Sequence, residues 1–169
     1  MAEFNTNLWA PWRMEYIDSL SEEKQEGCFL CRAAENPQDD AKSLVLYRGE
    51  YSFVIMNRFP YNTGHLLIAP YLHEGQLENV NDEILCEIMK LTKKFKVVLQ
   101  ETLRAEGFNI GINLSHCAGA GVPDHFHLHI VPRWAGDTNF MTVVGSAKVI
   151  PEHIVKTYHK LKAYLSIKK

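Results

Sequence analysis

His125-Phe126-His127-Leu128-His129-Ile130-Val131-Pro132-Arg133 is the stretch whose reading decides the fold. Imidazoles and large apolar side chains alternate here at period two, the signature of a β-strand with two unlike faces. The three histidines share one face, and Phe126, Leu128 and Ile130 point the other way, into the core. Pro132 removes a ladder donor at the strand's end. Three neighbouring imidazoles suit a merely structural strand poorly, because each buried ring needs partners for both nitrogens and titration near neutrality sets the rings against one another. Side chains two apart on a strand stand about 6.6 Å apart, so the outer pair is roughly 13 Å apart, whereas zinc approaches each nitrogen to about 2 Å. One metal cannot take all three. Three readings stay open: a metal on two neighbours, nucleophilic attack by one histidine with its neighbour as proton partner, or a polar strand face satisfied by backbone and water.

The 169 residues fit a single domain, 1–169, with a sizeable core, and 46% apolar content with a net charge of -2 is that of an ordinary globular chain. No basic run points to a nucleic-acid polymer as partner, which leaves a single nucleotide open. Met1 to Trp12 has no apolar h-region, and no window approaches about 18 unbroken apolar residues, which argues against secretion and against a membrane span. The expected setting is cytoplasmic and reducing. There Cys28, Cys31, Cys86 and Cys117 read as thiols or metal ligands rather than disulfides.

Residues 1–20 form an aromatic arm, Leu8-Trp9-Ala10-Pro11-Trp12 with Tyr16-Ile17, expected to pack on its own domain or on a second subunit. Residues 21–42 are polar and interrupted by Cys28-Phe29-Leu30-Cys31, with Asn36-Pro37 and Asp39-Asp40 reading as loop. Strands are expected over 44–48, 51–57 and 65–70, the first two joined by the short turn Gly49-Glu50. Ile84, Ile88, Leu91, Phe95 and Leu99 recur at helical spacing, so a long helix begins near Asn81 or Asp82, keeps Lys90, Lys93, Lys94 and Lys96 on its solvated side, and stops at Gly107. A fourth strand spans 108–114, a loop spans 118–123, and 134–140 is irregular. Ile154, Tyr158, Leu161 and Leu165 share one side of a terminal amphipathic helix over 151–166, with Pro151 in its first turn. Strands, long helix, strands, helix is an α+β pattern with an antiparallel sheet.

His-Phe-His-Leu-His-Ile-Val resembles the His-x-His-x-His motif of the histidine-triad (HIT) superfamily of nucleotide hydrolases and transferases, and the resemblance runs from about Cys28 to Phe140, the core being 21–140. It implies a HIT-like α+β fold and a homodimer paired through the long helix and its neighbouring strand. It implies that His127 attacks the α-phosphorus of a nucleotide and that water or phosphate breaks the resulting nucleotidyl-histidine. A neutral imidazole suits that task, being nucleophilic at pH 7 once its other nitrogen donates a hydrogen bond. By the same resemblance His129 contacts the transferred phosphate and leaving group. His65, in Gly-His-Leu-Leu-Ile-Ala-Pro, hydrogen-bonds within the triad.

Asn57 matches the position that holds the ribose hydroxyls, against a turn-capping role, and Asn113 one that binds phosphate or the triad network. Gly119, Ala120 and Gly121 form a loop whose amides can approach an anion. Where many relatives have Gly-Gln-Ser or Gly-Gln-Thr, this chain has Gly119-Ala120-Gly121-Val122-Pro123-Asp124, which together with the stretch 132–140 is more similar to the diadenosine tetraphosphate phosphorylase and dinucleoside-polyphosphate hydrolase branch. Cys28-x-x-Cys31 alone is half a zinc site or a redox pair. Bacterial relatives complete it with the equivalents of His73 and His125, which implies a closed structural zinc site of Cys28, Cys31, His73 and His125, with no organic cofactor. Cys86 and Cys117 are left as buried or partly buried thiols. The expected substrate is an adenine dinucleoside polyphosphate. The rivals are phosphoramidate or aminoacyl-adenylate hydrolysis, a non-catalytic zinc-held nucleotide-binding module, and a metallohydrolase.

Overall fold

The β-branched and aromatic runs of the first third of the chain pair as strands, and two further strands close the sheet. The computed structural model describes residues 27–145 and 149–167; the aromatic arm expected over 1–20 lies outside them. Strands β1 (Val45–Arg48), β2 (Ser52–Met56), β3 (Leu66–Pro70), β4 (Gly107–Ile112) and β5 (Leu128–Arg133) form one antiparallel sheet in the order β1-β2-β3-β5-β4. Every residue of β2 and β3 is buried. Those strands therefore read as continuous apolar runs rather than alternating ones, because both faces of the sheet are covered there.

The covers are unequal, and that inequality makes the site. On one face lie the long helix, Asp82–Leu103, and the terminal helix, Ile154–Ile167; between them and the sheet sit Val54, Met56, Ile68, Phe95, Leu99, Leu128, Ile130 and Leu161. On the other face the short helix Phe29–Glu35 sets Leu30 and Ala33 on Val45, Phe53, Ile55, Leu67 and Ala69. This second apolar layer stops at β3. The register that pairs Leu67 with His129 continues the same face onto β5, where imidazoles replace the aliphatic layer.

In chain order the helices are α1 (Phe29–Glu35), α2 (Asp40–Ser43), α3 (Asp82–Leu103), α4 (Met141–Val144) and α5 (Ile154–Ile167). Asn36-Pro37 and Asp39-Asp40, expected as loop, fall at a 3-10 turn over Pro37–Asp39 and the start of α2, and α1 lies just ahead of them. Two turns are too few to show helical periodicity, and α1 is held by what Leu30 and Ala33 bury. The long helix starts as expected after Asn81 but ends at Leu103, not at Gly107. Arg104 takes the left-handed cap conformation at φ 55°, and the Glu106 N–H then bonds the Arg133 carbonyl, so Gly107 opens β4 instead.

Strand β5 is shorter than the alternating pattern: it begins at Leu128, and the Phe126 N–H goes to the Glu74 carbonyl rather than to a strand partner. Strand β4 stops at Ile112, which leaves Asn113 just outside it. Pro151 stands three residues ahead of α5, not in its first turn, and α4 was unforeseen in a stretch without apolar periodicity. Cys86 and Cys117, expected buried or partly buried, are both exposed, Cys86 on the outer side of α3 and Cys117 in the 3-10 turn before Gly119. Lys90, Lys93 and Lys94 are exposed as expected and Lys96 is half-buried. Among the described residues no helix is long and apolar enough to cross a membrane.

Candidate functional site

The hydrogen bonds among four histidines determine which ring nitrogens carry hydrogen. The Tyr61 N–H donates to His65 Nδ1 at 3.1 Å, and the Asn57 side chain meets the same nitrogen at 3.3 Å. A backbone N–H can only donate, so His65 Nδ1 is the acceptor and a neutral His65 carries its hydrogen on Nε2. That Nε2 lies 2.9 Å from His129 Nδ1, which must therefore accept. His129 in turn carries its hydrogen on Nε2, a buried atom with no partner among the described residues. A buried donor left open is costly unless something arrives to accept from it.

His127 is set the opposite way. Its Nδ1 lies 2.7 Å from the His125 carbonyl, which can only accept, so Nδ1 carries the hydrogen and Nε2 keeps a bare lone pair. The His127 and His129 rings stand 4.9 Å apart, centre to centre. A lone pair and an N–H donor thus lie side by side at the end of a sheet face. Burial, above all else, lowers the pKa of all three rings: His65 falls to about 3 and His129 to about 4, with neighbouring imidazoles adding to the shift, and His127 moves the same way against the opposing pull of its bond to the His125 carbonyl. All three rings are neutral at pH 7, as a nucleophile and a donor pair require.

His125 belongs to a second cluster. Its Nε2 lies 3.0 Å from the Pro70 carbonyl, which fixes the hydrogen there and leaves Nδ1 bare. That Nδ1 faces Cys28 Sγ at 3.3 Å, Cys31 Sγ at 3.5 Å and His73 Nδ1 at 3.2 Å, and Cys31 Sγ is 3.1 Å from His73 Nδ1. The four ligand atoms all lie within 4.8 Å of one another. Tetrahedral zinc with bonds of about 2.0–2.3 Å needs ligand atoms roughly 3.3–3.8 Å apart. Two thiols and two imidazole nitrogens converging on one point fit that ion, with the second nitrogen of His125 held by a carbonyl as metal-bound histidines usually are.

Of the expected nucleotide contacts, Asn57 is already engaged: its Oδ1 accepts the Phe59 N–H at 2.9 Å while Nδ2 faces His65. Asn113 follows the last paired position of β4, Ile112 opposite Leu128. Gly119 has φ +85° and needs glycine, whereas Gly121 has neither a positive φ nor a close neighbour. The amides of Gly119 and Ala120 bond the carbonyls of His116 and Ser115 within the loop. Two residues that the sequence reading passed over as loop, Tyr61 and Asn62, sit against the histidines; their only signal was an aromatic and an amide just ahead of Gly64-His65. Tyr61 is half exposed and stacks on His129 at 5.8 Å and 13°. Gly64 has φ +76°, and a Cβ there would come 2.5 Å from Leu103 Cδ1, so only glycine seats His65 in this place. A separate cavity of about 500 Å³ adjoins Asn62, Trp134 and Asp137 and includes none of the expected site residues.

Residues 38–136 match the HIT domain. The chain belongs to the HIT family. It is 39% identical to the AP-4-A phosphorylase of Mycobacterium tuberculosis over 149 residues, which cover 86% of this chain and 76% of that protein. It is 33% identical over 95 residues to the asymmetrical bis(5'-nucleosyl)-tetraphosphatase of Schizosaccharomyces pombe, covering 56% of this chain and 52% of the yeast one. Among solved structures, a zinc-bound histidine triad family protein from Mycobacterium smegmatis superimposes with a TM-score of 0.68 at 27% identity, covering 84% of this chain and 95% of that one. In this HIT protein the matched span contains His65, His73 and the triad. Cys28 and Cys31 lie ahead of it, so two of the four clustered Cys and His residues fall outside the matched span.

Proposed function

We propose that this HIT protein cleaves dinucleoside polyphosphates of the diadenosine tetraphosphate type by nucleotidyl transfer through His127. The observation that carries the reading is the opposed hydrogen placement on adjacent rings: His127 Nε2 keeps a lone pair, and His129 presents a buried Nε2–H that lacks a partner among the described residues. The likeness to AP-4-A phosphorylase supports the substrate class.

In the first step His127 Nε2 attacks the α-phosphorus, a P–N bond forms, and the bond from that phosphorus to the bridging oxygen breaks, so that ATP leaves from diadenosine tetraphosphate. The His129 N–H donates to a phosphate oxygen and stabilises the charge that builds there. In the second step phosphate attacks the same phosphorus, the P–N bond breaks and ADP is released, or water attacks and AMP is released. Either acceptor loses its proton to the medium, and the lone pair returns to His127. Asn57 serves the ribose, and Asn113 with Gly119, Ala120 and Gly121 serves the phosphates. The Gly119 and Ala120 N–H groups reach an anion once their hydrogen bonds to the His116 and Ser115 carbonyls open.

Zinc held by Cys28, Cys31, His73 and His125 would be a closed structural site tying α1 to the segment just ahead of β5, with no position open to water. The exposed Ile110 and Ile112 on the edge strand β4, Leu114 just beyond it and the exposed Val97 on α3 support a second copy of this chain as partner, with β4 pairing across the interface. The reducing cytoplasm suits the free thiols. Incubating the protein with diadenosine tetraphosphate, with and without phosphate, and resolving the nucleotides tests the reading. ADP and ATP formed only with phosphate mean phosphorolysis, AMP and ATP mean hydrolysis, and unchanged substrate under both conditions refutes it.

A further inference from the structure

The histidine chain is set by donors from one loop, the Tyr61 N–H at 3.1 Å and the Asn57 side-chain amide at 3.3 Å, and what holds that loop lies on its far side. Asn62 is fully buried and uses its whole amide group. Its Nδ2 donates to the Pro132 carbonyl at 3.0 Å and to Asp137 Oδ2 at 2.8 Å, and its Oδ1 accepts the Thr63 N–H at 3.2 Å. Its backbone carbonyl accepts the His65 N–H at 3.1 Å. Asp137 is fixed in turn by Arg133 Nε at 2.6 Å, Arg133 Nη2 at 3.0 Å, the Trp134 N–H at 3.2 Å and the Thr138 hydroxyl at 3.1 Å. A carboxylate with this many donors stays ionised and stays put.

We infer that Asn62 is a positioning residue: by clamping the loop between β2 and β3 onto the end of β5, it holds the Tyr61 N–H on His65 Nδ1 and so dictates which nitrogens of His65 and His129 carry hydrogen. The two rings are linked through a single hydrogen bond, so they change together. If His65 takes its hydrogen on Nδ1, its Nε2 becomes an acceptor and His129 Nδ1 must donate. His129 Nε2 then presents a lone pair, not an N–H, to a phosphate oxygen, and attraction becomes repulsion. Asn57 Nδ2 faces the same His65 Nδ1 at 3.3 Å, its orientation set by the Phe59 N–H on Oδ1, so the loop that the clamp holds carries a second, longer donor to that nitrogen.

This inference rests on the reading of His129 as the phosphate donor, but its test does not run through turnover alone. Long-range ¹H–¹⁵N spectra of the histidine rings report which nitrogen is protonated. In the wild-type protein both His65 and His129 should show bare Nδ1 and protonated Nε2. In Asn62→Ala the two rings should show mixed or reversed signatures together, with kcat down roughly 10- to 100-fold, the range for losing the partner that orients a functional histidine, and KM little changed. Thr63→Val is the control from the same loop. The Thr63 hydroxyl is buried without a partner among the described residues, so exchanging it for a methyl should leave ring signatures and kcat as they are.

A wild-type His65 protonated on Nδ1 overturns the inference. So does Asn62→Ala with unchanged rings, whether kcat falls or holds, because a merely structural role would lower activity without moving the ring hydrogens. Should Asn62→Ala fail to fold, Asn62→Ser is read by the same criteria, and the wild-type spectrum decides on its own. Expected ring signatures in a protein that turns over no dinucleoside polyphosphate refute the proposed function and leave the positioning role standing.

Discussion

The neutral state of the buried rings has a consequence for stability that can be measured without any substrate. An unfolded chain protonates histidine below about pH 6.5. The folded chain holds His65 at about 3 and His129 at about 4, through burial first and neighbouring imidazoles second. Between pH 6.5 and these values the unfolded state binds two more protons than the folded state at these sites, so stability present above pH 6.5 is lost as the pH falls. Each ring then steepens the pH dependence by about 1.4 kcal/mol per pH unit, and by pH 5 each has removed about 2 kcal/mol. Both together approach the whole stability of a small domain, about 5–15 kcal/mol.

The assay is urea unfolding of the wild type and of the double variant His65→Leu/His129→Leu at several pH values between 7 and 5. Removing both rings avoids leaving either one unpaired with the other. The absolute stability of the variant is immaterial; the slope is what counts. Below pH 6 the slope should be shallower in the variant by about 3 kcal/mol per pH unit, with the m-value unchanged. The metal cluster and the carboxylates contribute alike to both proteins. Equal slopes would mean that the native rings are already charged or hydrated, and the hydrogen placement derived from them would fall.

Two further outcomes follow from the metal cluster and the sheet edge. Purified protein should hold about one zinc per chain; stripping it should lower the thermal midpoint by more than 10 °C, read by calorimetry, since a structural zinc contributes folding free energy directly. Cys31→Ser should abolish zinc retention, and if Cys31→Ser keeps a full complement of zinc the assigned ligand set is wrong. A charge placed on the exposed edge, Ile112→Arg, should convert a dimer to a monomer in sedimentation while leaving the folded chain intact; a wild type that sediments as a monomer would remove the need for that interface.

Much of the fold was legible because its strongest signals are periodic. The alternation from His125 to Ile130 and the helical recurrence from Ile84 to Leu99 marked β5 and α3, although β5 begins only at Leu128 and both faces of that stretch are buried. The ends were less legible. Arg104 terminates α3 in a conformation that glycine usually supplies, and the pull of the Glu106 bond to the Arg133 carbonyl is visible only in the folded sheet. Helix α1 was missed because two turns carry no period and its apolar residues matter only against Phe53 and Leu67. The four cluster residues and the four histidines could be named from motif and resemblance, and the fold brings each set together. The parts no pattern could reveal are Tyr61 and Asn62. Their contribution is one backbone N–H and one side-chain amide, and neither has a signature in sequence until the loop is folded against β5.

The most direct measurement is mass spectrometry of the protein quenched in acid-free denaturant during turnover of diadenosine tetraphosphate without phosphate, followed by digestion. The account predicts an adenylyl group on the peptide carrying His127, lost on adding phosphate with release of ADP and absent from His127→Ala. An adenylyl group on a different residue, or steady turnover by His127→Ala, would contradict it.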